Sequence, residues 1–140
     1  MSQTAFWDTG PLVALLDKRE EHHAWVLEQM SRLPPHLCTC EAVIAEAFHL
    51  VRHLKQAQTA IVEMILEDVI RIPFFLREHA VEVLMLLKRY ADVPMALADG
   101  CLVRMSELVT DCVVFTLDSD FRIYRRHKRQ GIPLVIPPQL

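Results

Sequence analysis

The chain has 140 residues, 52% of them hydrophobic and only 3 of them glycine, which excludes a disordered tail and is enough to bury one sizeable core. Lys and Arg number 15 against 18 Asp and Glu, and a net charge of −3 excludes the basic excess by which nucleic-acid binders usually announce themselves. Nucleic acid therefore stays open only through a local basic patch or through metal ions.

The opening MSQTAFWDTG has neither the basic start nor the apolar core of a signal peptide. No apolar run reaches the roughly 18 residues that span a bilayer. The expectation is a cytoplasmic protein with no membrane association. Cys38, Cys40, Cys101 and Cys112 are then reduced, inert core thiols, the lone C-x-C being a weak metal signal.

In chain order, TAFWD predicts a short strand and TGPLVALLD a helix, with Gly10 permitting a tight turn and Pro11 suited to a first helical turn. EEHHAWVLEQMSRL repeats apolar residues at helical spacing and stops before Pro34-Pro35. HLCT is extended, and CEAVIAEAFHLVRHLKQA predicts one long helix with Val43, Ala47, Leu50, Val51 and Leu54 on its apolar face. TAIVEMILEDV is helical, VIRIP a strand, EHAVEVLMLLKRYA a helix, and Pro94 opens another through MALADGCLVRMSELV. CVVFTL is the most persuasive strand, apolar on both faces. A basic helix follows, closed by Gly131, and IPLVIP supplies a last strand. Continuously apolar strands alternating with helices predict an α/β fold: a three-layer α/β/α sandwich around a mainly parallel sheet, formed by residues 1–140 as a single domain.

Ligands of open parallel sheets bind beyond the carboxyl ends of the strands. Asp8 closes the first strand, and Asp118 and Asp120 close VVFT. Glu46 and Asp99 sit in apolar helical stretches, AVIAEAFHLV and PMALADGCLV. Each has a simpler reading. Asp8, Asp118 or Asp120 can cap the helix that follows, Asp99 can serve a helix dipole, and Glu46 can be solvated. Convergence would be costly, since two like charges ~4 Å apart repel by on the order of 4 kcal/mol at an effective dielectric near 20. Such a cluster must protonate or bind cations, and carboxylates suit Mg²⁺ or Mn²⁺.

Taken together, FWDTGPLVALLD, AVIAEAFHLV, YADVPMALADGCLV and VFTLDSDFRIYR resemble the PIN domain family in order and spacing, over essentially the whole chain. The likeness is to VapC-type toxin ribonucleases and their stand-alone bacterial relatives. It implies an endoribonuclease dependent on Mg²⁺ or Mn²⁺, with Asp8, Glu46, Asp99 and Asp118 at the family's catalytic acidic positions. Asp8, Asp99, Asp118 and Asp120 would hold metal, Asp120 at a less regular fifth position. Thr116, with Thr9, supplies hydroxyls that hydrogen-bond the carboxylates or the attacking water. Gly100 stands where relatives often have Ala. The resemblance also implies RNA as substrate, a cognate antitoxin protein that blocks the cleft, and a homodimer. AWVLEQM and AIVEMILEDV are candidate surfaces for such partners.

Arg122, Arg125, Arg126, Lys128 and Arg129 follow the acidic pair. They read either as a solvated helix face or, for Arg122, Arg125, Arg126 and Lys128 in particular, as contacts to the RNA backbone. Two other functions compete. One is a non-catalytic PIN-like module that binds RNA or protein. The other is a di-iron helical protein, from the E-x-x-H spacings Glu20/His23 and Glu46/His49, with His53 one turn on.

Overall fold

The computed structural model describes residues 3–140. Its central sheet contains β1 (Thr4–Trp7), β2 (Leu37–Cys38), β3 (Ile70–Arg71), β4 (Cys112–Phe115) and β7 (Leu134–Val135), with a separate hairpin of β5 (Arg125–Arg126) and β6 (Gln130–Gly131). Strand order is β3-β2-β1-β4-β7, and every pairing in this sheet is parallel. The helices are α1 (Thr9–Leu16), α2 (His23–Met30), α3 (Glu41–Leu50), α4 (Lys55–Leu66), α5 (Leu76–Arg89) and α6 (Leu97–Leu108). They cover the sheet as the sequence predicts, giving the α/β/α sandwich.

Parallel pairing forces each strand to return through a crossover, so the inner strands are buried on both faces. Ala5, Phe6 and Trp7 of β1 and Val114 and Phe115 of β4 are buried accordingly. Trp7 meets Phe115 edge-on at 4.6 Å between centroids, in the arrangement that aromatic quadrupoles favour. The register pairs Trp7 with Phe115, and the ladder continues as the Asp8 amide donates to the Phe115 carbonyl at 2.9 Å. Asp8 and Thr116 are thus brought side by side at the carboxyl edge of the sheet. The register of two apolar strands sets the first polar contact of the site.

Several local expectations are corrected. The long helix read across residues 40–57 is two helices, α3 and α4, separated at residues 51–54. Val43, Ala47 and Val51 are buried as expected, Leu54 is half-buried, and Leu50 is exposed. The break turns Leu54 and Ala57 back toward the core, where both pack. The last helix of the central region starts at Leu97, not at Pro94, which lies in the preceding turn. Gly10 does not adopt a left-handed conformation. Its value is close approach, because a Cβ there would lie 3.1 Å from the Cβ of Leu117.

The predicted basic helix does not form. A single 3₁₀ turn, Ser119–Arg122, is followed by the antiparallel β5–β6 hairpin, with Gly131 in β6. Its tip carries His127 and Lys128 at φ 50 and φ 70, a region that ordinary residues rarely occupy. The fold holds the tip from outside: the His127 amide donates to Glu107 at 2.7 Å, and Arg89 donates to the Lys128 carbonyl at 2.6 Å.

Candidate metal centre

Asp8 leaves β1 and caps α1, its Oδ1 accepting from the Thr9 amide at 2.8 Å. Its Oδ2 accepts from the Thr116 hydroxyl at 2.7 Å, across the strand pair that the register aligned. The Thr116 oxygen in turn accepts from the Asp118 amide at 2.9 Å. One hydroxyl therefore fixes both Asp8 and the turn that presents Asp118. Asp118 starts the 3₁₀ turn, accepting from the Asp120 amide at 2.9 Å. Asp99 comes from the first turn of α6, where its Oδ2 accepts from the Ala96 amide at 3.0 Å. Both readings of these aspartates hold together: they are caps, and they converge.

Carboxylate oxygens of Asp8, Asp99 and Asp118 all lie within 4.8 Å of one another. Asp8 is only 6% exposed, and burial drives its carboxyl up to about 7. The hydrogen bonds from Thr116 and Thr9 oppose that rise, while the charges of Asp99 and Asp118 add to it. Asp99 is pushed up to about 6, first by burial and then by Asp118 and Glu46, against the pull of the Ala96 amide. Among the described residues, no basic side chain pairs with these three carboxylates. The donor set, all oxygen and all anionic when ionised, fits a hard divalent cation such as Mg²⁺ or Mn²⁺.

Glu46 lies outside that group of three but is joined to it. Its Oε1 accepts from the Thr9 hydroxyl at 3.0 Å, so Thr9 bridges Glu46 to the Asp8 cap. The Asp120 carboxylate also lies outside the group. The residue contributes its amide to Asp118 and its carbonyl to the Ile123 and Tyr124 amides.

The cationic segment is largely spent on the protein itself. Arg126 is buried, contrary to a role on the RNA backbone, and its guanidinium donates to the carbonyls of Ser106 and, at 3.0 Å, Val109. Arg125 donates to the carbonyls of Arg122, Ile123 and Tyr124, and Arg122 donates to the Leu140 carbonyl at 3.0 Å. Lys128 and Arg129 are exposed.

The E-x-x-H pairs build nothing. Glu20 precedes α2, the His23 Nδ1 sits on the Ala14 carbonyl at 2.5 Å, and His49 lies against Arg52. His53 reaches Asp17 at 3.4 Å instead. The central parallel sheet removes the di-iron bundle. Among the described residues, the Asp8, Asp99 and Asp118 cluster is the group with metal-ligand geometry. Cys40, Cys101 and Cys112 are buried, Cys38 is half-buried, and all four are free. No helix of the described residues is long and apolar enough to cross a membrane.

Tyr124 is a site residue that the sequence motifs do not single out. Its hydroxyl lies 3.4 Å from Asp99 Oδ2. The available signal was a tyrosine, rather than a second phenylalanine, three residues after Phe121.

A parallel α/β sandwich with carboxylates gathered beyond the ends of its two central strands defines a class of acidic-site α/β proteins. The PIN domain profile matches residues 5–126, and the chain belongs to the PIN domain family. No curated protein matches it in sequence. Among solved structures it is similar to VapC20 of Mycobacterium tuberculosis, described as a sarcin-ricin loop cleaving toxin. That likeness has a TM-score of 0.75 at 18% identity, over 84% of this chain and 92% of the other. It is also similar to VapBC2 from Rickettsia felis, solved bound to a DNA fragment from its promoter. There the TM-score is 0.65 at 13% identity, over 96% of this chain and 98% of the other.

Proposed function

We propose that this chain is a divalent-metal-dependent endoribonuclease that hydrolyses RNA phosphodiester bonds, and the toxin of a toxin–antitoxin pair. One observation carries the reading: three carboxylates from separate segments meet within 4.8 Å at the carboxyl edge of the sheet, and no basic side chain among the described residues is paired with them. The fold likeness to VapC20, a toxin that cleaves the sarcin-ricin loop, supports RNA as substrate. The likeness to VapBC2 supports a cognate antitoxin.

In this reading Asp8, Asp99 and Asp118 would hold Mg²⁺ or Mn²⁺, and Asp120 would contribute to a second ion site. A divalent cation supplies Lewis-acid activation of water and neutralises phosphate charge. The chain's own groups do the positioning. Thr116 keeps Asp8 Oδ2 and the Asp118 turn in register. Thr9 occupies Glu46 Oε1, so the second oxygen of Glu46 is the one that orients water and accepts its proton. Lys128 and the exposed parts of Arg122 and Arg125 supply backbone contacts. Exposed Leu27 and Met30 on α2, and Val62 and Leu66 on α4, are the surfaces we assign to a second copy or an antitoxin.

The test is end-mapping of RNA incubated with Mn²⁺ and nuclease-free protein. Wild type should leave a small set of discrete new ends that vanish with Asp8→Ala and with chelator. Ends that persist in the variant would reject the reading. A protein that folds and binds RNA without cutting it would be the non-catalytic module instead.

A further inference from the structure

We infer that Tyr124 is a positioning residue for the acidic cluster: its buried phenol ties Asp99 on α6 to the turn that carries Asp118 and Asp120. The inference rests on the metal-site reading above and adds a residue to it. Tyr124 is completely buried and among the largest side chains that are. Its amide bonds to the Asp120 carbonyl at 3.2 Å, which fixes it to the end of the 3₁₀ turn. Its hydroxyl reaches Asp99 Oδ2 at 3.4 Å. A single residue therefore spans the two segments whose spacing a cation would have to bridge.

The ring has little freedom to serve any other purpose. Phe121 meets it edge-on at 5.2 Å and Tyr90 does so at 5.1 Å. Packing alone would be met by phenylalanine, as it is at Phe121 and Phe115. A hydroxyl taken out of water needs a partner, and the partner here is Asp99. At 3.4 Å the bond is longer than a full-strength O–H···O bond, so its value lies in direction more than in strength. The Ala96 amide and the Tyr124 hydroxyl both approach Oδ2, and neither engages Oδ1. That division fixes the rotation of the carboxylate and leaves one oxygen uncommitted to either bond.

Tyr90 provides an internal control. It belongs to the same aromatic cluster, yet its hydroxyl accepts from the Arg125 amide at 2.9 Å, away from the carboxylates. Removing either hydroxyl leaves the ring packing intact, but only one removal touches the acidic cluster.

The experiment is calorimetric titration of the full chain with Mn²⁺, comparing wild type, Tyr124→Phe and Tyr90→Phe, with thermal melts of each without metal. We expect Tyr124→Phe to weaken Mn²⁺ binding by about ten-fold, as loss of a group orienting a ligand does, while Tyr90→Phe stays within about two-fold of wild type. The spectrum of bound Mn²⁺ by electron paramagnetic resonance should change in Tyr124→Phe alone. Equal Mn²⁺ affinity in wild type and Tyr124→Phe would overturn the Tyr124 assignment and leave the metal site standing. Equal weakening in both variants would overturn it too, by reducing the effect to packing. Absence of Mn²⁺ binding in wild type would overturn both the assignment and the site reading it rests on.

Discussion

Asp118 and Arg126 follow the same strand, yet one side chain faces two other carboxylates while the other is spent on backbone carbonyls. The acidic region gathers like charges from three segments, and no basic side chain among the described residues pairs with them. The basic region scatters its guanidiniums over the ends of α6, the 3₁₀ turn and the chain terminus. Cations spent on backbone carbonyls hold a fold together. Like charges brought together by the fold need an explanation from outside it, and a bound cation is the simplest one. Charge in a sequence is therefore a weaker guide to function than whether the fold leaves that charge unpaired.

Substitutions can sharpen the contrast. The largest effect should come from Asp8→Asn, which we expect to lower Mn²⁺-dependent cleavage by about 100-fold or more, since the cation's stabilisation is worth several kcal/mol. The same change should raise the thermal midpoint of the metal-free protein at pH 8, because it removes a buried charge from a repulsive group. A lower midpoint would break the comparison, making Asp8 a structural residue like Arg126.

Arg126→Ala should do the reverse. Its loss strips partners from the Ser106 and Val109 carbonyls, at a cost of about 2–3 kcal/mol in a denaturant titration. Lys128→Ala should leave stability within about 0.5 kcal/mol and lower the salt slope of RNA binding by about one. An unchanged midpoint in Arg126→Ala would mean that this guanidinium is free for substrate after all.

A smaller effect concerns pH. Asp8 and Asp99 bind protons more tightly folded, at about 7 and about 6, than at the ordinary carboxyl value of 3.8. The native state then holds more protons than the unfolded chain in this window, so stability falls as pH rises from 3.8 through about 7. Metal-free melts should show a midpoint several degrees lower at pH 8 than at pH 5, and saturating Mn²⁺ should remove most of that difference. A midpoint that rises with pH in the absence of metal would contradict the electrostatic account.

The sequence made the sheet legible because β1 and β4 are apolar on both faces and are followed within three residues by aspartate. It made the acidic site legible because carboxylates in apolar surroundings are rare without a purpose. Thr9 and Thr116 both hydrogen-bond Asp8. The α3–α4 break was not legible, since residues 51–54 contain neither Gly nor Pro, and the turn is set by packing of Val51, Leu54 and Ala57. The β5–β6 hairpin was hidden for a related reason. Its tip uses His127 and Lys128 at positive φ, where a hairpin signal would be Asn or Gly, and the contacts holding it come from the distant Arg89 and Glu107. Burial of Arg126 could not be read locally, because its partners are carbonyls at the end of α6.

The central claim is that the converging carboxylates form a cation-dependent RNA-cutting centre, and Asp99→Asn probes it with minimal change of shape. Initial rates of RNA cleavage should be measured across a Mn²⁺ titration for wild type and Asp99→Asn in nuclease-free preparations of matched thermal midpoint. The account predicts a saturable Mn²⁺ dependence in wild type and a rate lower by about 100-fold in the variant. Equal, metal-independent rates in the two proteins would contradict it.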